Sequence, residues 1–185
     1  LSSLIRLLLE ETEVARLRLS SIEPWDLSRL DPSLWGNQRL CRHLHVPLQS
    51  GSDAVLSRMG RRYTAEEYRA LVGRLQAAVP DLAVSTDVIA GFPGESVSDH
   101  QATLALARAC GFARMHVFPY SERPGTAAAA MDDQVPRGER RRRAAELRVA
   151  ADSLRRDYGN RQVGRLVEVL WETQRDGWWH GLTSN

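Results

Sequence analysis

The sequence predicts an α/β fold built on a parallel sheet. Short apolar strands at residues 43–48, 82–90 and 114–119 alternate with helical patterns that follow each of them. Each of these strands runs into a loop that is rich in Gly, Pro or small polar residues. Because the carboxyl ends of parallel strands meet at one edge of a sheet, we expect the three loops to converge on one ligand.

The composition is typical of a soluble globular protein, with 43% hydrophobic and 26% charged residues among 185. The net charge of +2 neither requires nor excludes a nucleic-acid partner, and all 25 basic residues are Arg. Cys41 and Cys110 are too far apart in sequence for a metal-ligand pair. No signal peptide and no membrane-spanning run is visible, so we expect a cytoplasmic protein with no membrane partner.

The remaining elements follow from periodicity and capping. Residues 4–11 predict the end of a helix, residues 14–22 predict an alternating strand, and residues 25–34 predict a short helix with a loop. Thr64 and Glu67 form the sequence signature of a capping box at the start of a longer helix. Further helices are expected at 52–59, 64–79, 98–109 and 136–159, the last of them rich in Arg.

The pattern changes near residue 161. Residues 1–160 repeat strand and helix about four times, whereas 164–172 and 178–181 predict strands with no helix between them. We therefore divide the chain into an α/β domain, 1–160, and the beginning of a small all-β module, 161–185. Four strand–helix units do not close an eight-stranded barrel, and about 25 residues are too few for a stable β module, so both parts are expected to be incomplete.

The loops after the strands carry the candidate binding groups. Gln49 and Ser50 suit ribose hydroxyls, with a capped turn as the alternative. The tight turn Gly91–Glu95 suits a flat heterocycle, and Glu95 either accepts from an amine or caps the next helix. Asp87 lies within a strand, where an unpaired carboxylate is costly, so it is either a site residue or an internally hydrogen-bonded one.

Histidines and arginines add further candidates. His43 and His45 share one face of a strand, and we expect them and His116 to form a packed polar network rather than a metal site. Arg61 could pair with a ligand carboxylate, or with Glu66 or Glu67 as the alternative. The cluster of Arg140, Arg141, Arg142 and Arg143 contacts RNA phosphates or, alternatively, forms a solvated helix face.

Six segments, in order and at matching spacing, together resemble one family. They are RLRLSSIEP (16–24), HLHVPLQSGSD (43–53), VLSRMGRRYT (55–64), STDVIAGFPGE (85–95), HVFPYSERPGT (116–126) and DQVP (133–136). The chain is similar to the radical S-adenosylmethionine (radical SAM) methylthiotransferases, which attach a methylthio group to tRNA adenosines or to a ribosomal protein. The resemblance implies strands three to six of a radical SAM barrel, followed by the start of a TRAM domain, a small β module that binds tRNA.

The resemblance also implies site residues and cofactors. S-adenosylmethionine and two four-iron, four-sulfur clusters are the expected cofactors of the complete enzyme. The residues expected around S-adenosylmethionine are Gln49, Ser50, Arg61, Asp87, Gly91, Glu95, Val117 and Phe118, with Val117 and Phe118 as an adenine wall. Trp178 and Trp179 suit base stacking in the anticodon stem-loop of tRNA, with core packing as the alternative.

Within the family, the segments look most like the branch that acts on N6-threonylcarbamoyladenosine at position 37 of tRNA. The isopentenyladenosine branch is the alternative, and a tRNA-binding fragment without enzyme activity is a third possibility. The family's C-x-x-x-C-x-x-C motif and its second triad of cysteines are both missing from these 185 residues. We therefore expect this chain, taken as a monomer, not to reduce S-adenosylmethionine by itself.

Overall fold

A three-stranded parallel sheet forms the centre of the computed structural model, which describes residues 1–185. Its strands are β1 (His43–His45), β2 (Ala83–Ala90) and β3 (Arg114–Pro119), in that order across the sheet. The predicted α/β fold with a parallel sheet is therefore confirmed. In register, β1 pairs His45 with Ser85, and β2 pairs Asp87 with His116.

Six helices accompany the sheet: α1 (Ser2–Glu11), α2 (Pro24–Leu27), α3 (Asp53–Arg58), α4 (Ala65–Ala78), α5 (Val97–Cys110) and α6 (Arg137–Asn160). The predicted capping box of α4 is present, because the Thr64 hydroxyl accepts from the Glu67 N–H while the Glu67 carboxylate accepts from the Thr64 N–H. A second capping box starts α5, and Gly111 ends that helix with a φ of 61°.

One element predicted in the first fifty residues is absent, and one strand is shorter than predicted. Residues 14–22 do not form a strand, because they meet the neighbouring chain only at two isolated bridges, Leu17 to Leu40 and Ser21 to His45. The short helix with a loop that was predicted at 25–34 is present: α2 ends at Leu27, and after the loop Pro32 begins a 3₁₀ turn at Pro32–Gly36. The strand β1 is also shorter than predicted, since Pro47 cannot donate to the ladder.

The two faces of the parallel sheet differ in what covers them. One face packs against α4, α5 and α6, and its side chains join a single core of 33 buried residues. Side chains alternate along each strand, so the opposite face carries a second set. We call that second surface the open face; its residues are His43, His45, Ala83, Ser85, Asp87, Ile89, Arg114, His116 and Phe118.

The last part of the chain is a separate antiparallel hairpin of β4 (Leu170–Arg175) and β5 (Trp178–Leu182). The strand predicted at 164–172 is therefore wrong in its bounds. The turn at Asp176 and Gly177, whose φ angles are 51° and 80°, sets the register of the hairpin. In this register the residues before Leu170 have no strand partner. Every residue of both strands is exposed.

The hairpin and the residues just before it lie beside the amino-terminal ends of the strands of the parallel sheet. Arg16 donates to the Leu182 carbonyl at 2.7 Å, and Arg18 donates to the Thr183 carbonyl at 2.7 Å. Arg165 pairs with Asp81, which lies two residues before β2. None of the helices is both long enough and apolar enough to cross a membrane.

The contact between the loop after β1 and helix α5 generates a prediction about stability. A Cβ at Gly51 would lie 2.5 Å from Thr103 Cα, which is backbone and cannot move aside cheaply. We expect Gly51→Ala to lower the free energy of unfolding by roughly 1–3 kcal/mol in urea denaturation. The control is Gly73→Ala in α4, where a Cβ meets nothing within 4 Å and gains up to about 1 kcal/mol in helix propensity. Equal effects at both positions would contradict this packing.

Candidate functional site

The loops that follow the three strands lie side by side at the carboxyl edge of the sheet. The Gln49 N–H donates to the Asp87 carbonyl at 2.8 Å, and the Gln49 carbonyl accepts from the Ile89 N–H at 2.9 Å. In the next loop, the Tyr120 N–H donates to the Ala90 carbonyl at 2.8 Å. The sheet order therefore brings the predicted binding loops to one edge, where ligands of α/β proteins bind.

Gln49 and Ser50 differ in what their side chains can reach. Gln49 has a φ of 64°, an uncommon conformation for a residue with a Cβ, and it is partly exposed. Ser50 is fully buried; its hydroxyl accepts from the Ser52 N–H at 3.2 Å and lies 3.4 Å from Thr103 Oγ1. Gln49 can therefore meet a ligand, whereas the Ser50 hydroxyl holds the loop against α5.

A hydrogen-bonded network runs across the open face. The His45 ring lies between two neighbours of β2, with Nδ1 3.0 Å from Ser85 Oγ and Nε2 3.2 Å from Asp87 Oδ2. His43 Nε2 lies 3.2 Å from the same hydroxyl, and the His116 ring centroid is 6.1 Å from that of His45. The predicted polar network is confirmed for His43 and His45, whereas His116 packs beside the His45 ring without a hydrogen bond to it. Asp87 has an internal partner, yet 30% of its side chain remains exposed.

His43 is held neutral within this network. Burial, together with the charges of Arg18 and His45, lowers the pKa of His43 from 6.5 to about 4. At neutral pH the His43 ring therefore carries no charge. The Asp87 carboxylate, paired with His45, lies at the centre of this face, between β1 and β3.

The turn after β2 is closed from within by a buried ion pair. Glu95 Oε1 accepts from the Gly91 N–H at 3.1 Å and from Arg143 Nη1 at 2.7 Å, and the two charged side chains are only 2% and 6% exposed. Burial raises the pKa of Glu95, although the hydrogen bonds from Arg143 and Gly91 act in the opposite direction. Gly91 itself has a φ of 72°, and a Cβ there would lie 2.6 Å from Arg140 Cγ. Glu95 therefore fixes this turn, with no exposed carboxylate to accept from a cofactor amine.

A second buried arginine of α6 ties the loop after β3 to the segment that precedes α6. Arg140 donates from Nε to the Val135 carbonyl at 2.5 Å and from Nη2 to the Glu122 carboxylate at 2.8 Å and the Gln134 side chain at 3.0 Å. Its guanidinium carbon also lies 5.0 Å from the centre of the Tyr120 ring. The sequence did not predict these partners. Through them, Arg140 holds the loop after β3 against the segment that precedes α6.

The prediction that Arg140 and Arg143 contact RNA phosphates is wrong, because both side chains are buried in internal hydrogen bonds. Arg142 is exposed but paired with two carboxylates of its own helix. Only Arg141 is both exposed and without an ion pair. The spacing of 140, 143, 144 and 147 places these positions on the buried face of α6. This spacing is visible in the sequence and indicates that Arg140 and Arg143 face inward.

The two residues of the expected adenine wall lie on opposite faces of β3. Val117 pairs in register with Val88 and is buried beneath the helices with 9% exposure. Phe118 pairs with Ile89 on the open face and is 51% exposed. Alternation along the strand separates the two side chains, and the adenine wall itself stays a prediction. Only the Phe118 ring can stack on a ligand.

Arg61 has a partner that was not among the predicted alternatives. Its Nη1 lies 3.1 Å and 3.3 Å from the two carboxylate oxygens of Glu23. Glu66 instead binds Arg69, and Glu67 belongs to the capping box of α4, so neither alternative pair forms. Arg61 thus joins the segment before α2 to the turn after α3. Although it is paired, the Arg61 side chain remains partly exposed.

The tryptophans of the hairpin do not reach this edge of the sheet. Trp178 and Trp179 are 75% and 59% exposed, in a hairpin fastened near the amino-terminal ends of the strands. Because the candidate ligand residues lie at the carboxyl ends, the two surfaces are on opposite edges. Packing of both rings in a core, the alternative to base stacking, is not observed.

The residues of this chain do not fit an iron–sulfur cluster. Cys41 and Cys110 are both buried, and burial raises the pKa of the Cys110 thiol to about 11, which disfavours the thiolate that a cluster needs. No group of three His, Cys, Asp or Glu side chains is placed to hold a metal ion. The open face has polar and aromatic groups for a nucleoside, and it has no ligand set for iron.

Comparison with known proteins agrees with this geometry. Residues 4–107 match the model of the radical SAM superfamily. The chain belongs to the radical SAM superfamily. The solved structure of coproporphyrinogen III oxidase (HemN) from Escherichia coli, a radical SAM enzyme, superposes with a TM-score of 0.63 at 20% identity. It covers 83% of this chain and 36% of that one, and at this identity the likeness shows the radical SAM fold alone.

Curated relatives are named as tRNA methylthiotransferases and methylthioadenosine synthases, which together with the radical SAM match confirms the resemblance found in the motifs. Threonylcarbamoyladenosine tRNA methylthiotransferase MtaB of Thermotoga maritima is 41% identical over 85% of this chain. The tRNA-2-methylthio-N(6)-dimethylallyladenosine synthase of Maricaulis maris is 41% identical over 86% of it. The chain spans only 36% and 35% of the length of these two relatives.

The Glu95–Arg143 pair generates a prediction about stability. Replacing Arg143 with Met leaves the Glu95 carboxylate buried without its cation, so we expect the free energy of unfolding to fall by about 3–5 kcal/mol. The matched control is Arg142→Met, one residue away, where exposed ion pairs contribute at most about 1 kcal/mol. Urea denaturation of both variants measures the difference. A loss at Arg143 no larger than the loss at Arg142 would contradict the buried clamp.

Proposed function

We propose that this chain is the carboxyl-terminal half of the catalytic barrel of a tRNA methylthiotransferase. The observation that carries the proposal is the identity of 41% to two such enzymes across a region whose strand-end loops converge on one polar edge. In this proposal the complete enzyme uses S-adenosylmethionine and two iron–sulfur clusters, and the cluster ligands come from residues outside these 185.

The chain's own contribution is a surface for the S-adenosylmethionine nucleoside. The Phe118 ring, half-exposed beside Ile89, stacks on the adenine, and the Gln49 amide and Asp87 carboxylate bond to the ribose hydroxyls. The His45 imidazole orients Asp87 from the side, at 3.2 Å. Ser50, Gly91 and Glu95 do not contact the ligand in this proposal; they hold the loops that carry these groups.

We assign N6-threonylcarbamoyladenosine at position 37 as the nucleoside that is modified. The segments 85–95 and 116–126 support this assignment by their likeness to that branch. The equal identity of 41% to an enzyme named for dimethylallyladenosine makes the isopentenyladenosine substrate the second candidate. The hairpin, as the first two strands of a TRAM domain, contributes Trp178 and Trp179 to stacking on the anticodon stem-loop.

A chimaera tests the proposed function and the substrate together. The region of Thermotoga maritima MtaB aligned with this chain is replaced by the present sequence, and a second chimaera uses the Maricaulis maris enzyme as the host. Methylthiolated nucleosides from tRNA are then measured by mass spectrometry. We expect both chimaeras to modify threonylcarbamoyladenosine. Activity that follows the host enzyme in each case would favour a substrate choice made outside this chain, and no product from a chimaera that still binds S-adenosylmethionine would refute the function.

Within the MtaB chimaera, Phe118→Ala tests the proposed adenine contact. Loss of one stacking partner costs about 1–3 kcal/mol, so we expect the affinity for S-adenosylmethionine to fall at least about fivefold in equilibrium dialysis. Val149→Ala is the matched control, because Val149 is a 71% exposed apolar side chain on α6, away from the open face. An unchanged affinity in the Phe118 variant would remove Phe118 from the site.

The same proposal predicts that the 185-residue chain alone does not assemble a catalytic cluster. Its two cysteines are buried, and no group of three His, Cys, Asp or Glu side chains is placed to hold a metal ion. Anaerobic reconstitution with iron and sulfide, followed by absorbance and electron paramagnetic resonance, should give far less than one cluster per chain. A stoichiometric four-iron cluster would overturn this part of the proposal.

A further inference from the structure

Five exposed arginines lie along one side of α6 and at the start of β3, and the site described above does not use them. On α6, Arg141, Arg148 and Arg155 recur every seven residues, which is close to two helical turns and places them on one stripe about 21 Å long. Arg137 extends the stripe toward the start of the helix, and Arg114 joins it from the beginning of β3. We call these five residues the arginine stripe.

The members of the arginine stripe differ from the neighbouring arginines at 140, 142 and 143 of the same helix. None of the five takes part in an ion pair, whereas Arg140, Arg142 and Arg143 each pair with carboxylates of the chain. The only hydrogen bond within the stripe is from Arg148 to the Val117 carbonyl at 3.3 Å. The guanidinium groups therefore remain available to an outside anion.

The stripe borders a groove rather than a flat helix face. A cavity of about 510 Å³ lies between β3 and α6, lined by Arg114, Arg148 and Arg155 and by one acidic residue, Asp152. The groove follows the edge of the sheet, because β3 is the last strand and has no further strand beside it. Phe118, the exposed ring at the end of β3, also lines this groove.

Three unpaired positive charges around one groove repel each other, and an anion laid along the groove removes that repulsion. An elongated polyanion fits better than a single phosphate, because the arginines are spread over about 21 Å of helix. A solvated basic face is the ordinary outcome for a charge run, but it would not require a strand arginine to meet the helix arginines at one groove.

We propose that the arginine stripe binds the phosphate backbone of an RNA and guides it along the edge of β3 toward the open face. Contacts of this kind are independent of base sequence and depend strongly on salt. That the RNA is a tRNA rests on the proposed function; the phosphate contact itself does not. Of the cluster 140–143 that the sequence predicted to contact RNA, only Arg141 belongs to the arginine stripe.

The test compares two triple variants of the 185-residue chain that lose the same charge. One is Arg141→Gln with Arg148→Gln and Arg155→Gln. The control is Arg29→Gln with Arg74→Gln and Arg108→Gln, three exposed arginines on other surfaces that also make no ion pair. Binding of a tRNA anticodon hairpin and of a scrambled hairpin of equal length is measured by fluorescence anisotropy between about 50 and 200 mM salt.

The stripe variant should lose about 2–3 units of the slope of log affinity against log salt, and at least about tenfold in affinity at 100 mM salt, for both hairpins. The control variant should keep the slope of the original chain. Equal slopes in the two variants, or no RNA binding by the original chain, would overturn the proposal. The tRNA function and the phosphate contact can fail separately. If only the tRNA function is wrong, the stripe variant still loses RNA affinity and salt slope, neither hairpin is preferred, and the chimaera is inactive.

A single substitution that removes a negative charge from the groove should raise the affinity for RNA. Asp152 is the one carboxylate in the groove and has no ion-pair partner. Asp152→Asn removes its repulsion of phosphate, so we expect RNA affinity to rise about twofold or more, without any arginine being removed. An unchanged or lower affinity in this variant would also contradict the proposal.

Discussion

Two buried arginines of α6 hold the carboxyl edge of the sheet in place. Arg143 binds Glu95 in the turn after β2, and Arg140 binds Glu122 in the loop after β3. A buried charge without its partner is expensive, so the helix can dock in only one position relative to both loops. The geometry of the open face depends on this docking, because Asp87 and Phe118 lie on the strands that lead into those two loops.

The same constraint explains how one helix serves two purposes. Its buried stripe fastens the loops around the candidate nucleoside site, and its exposed stripe carries arginines that have no partner in the chain. The candidate nucleoside site and the arginine groove then share β3, with Phe118 near its carboxyl end and Arg114 at its amino end on the same face of the strand. The hairpin at the amino edge is a third surface, on the far side of the sheet from the strand-end loops.

Local patterns predicted what depends on local interactions. The capping box at Thr64 and the limits of β3 followed from residues a few positions apart. The strand at 14–22 failed because alternation reports burial, and a strand also needs a continuous partner. The buried pair of Arg143 and Glu95 joins residues 48 positions apart, so a run of arginines in the sequence could not reveal which of them face inward.

The central claim is that the buried pair of Arg143 and Glu95 fixes the turn at the carboxyl edge. A double-mutant cycle with Arg143→Met and Glu95→Gln measures it most directly, through the free energy of unfolding of both single variants and the double variant. The pair predicts a coupling of roughly 2–3 kcal/mol, because removing both charges avoids leaving one of them buried alone. Effects that add to within about 0.5 kcal/mol would contradict the claim.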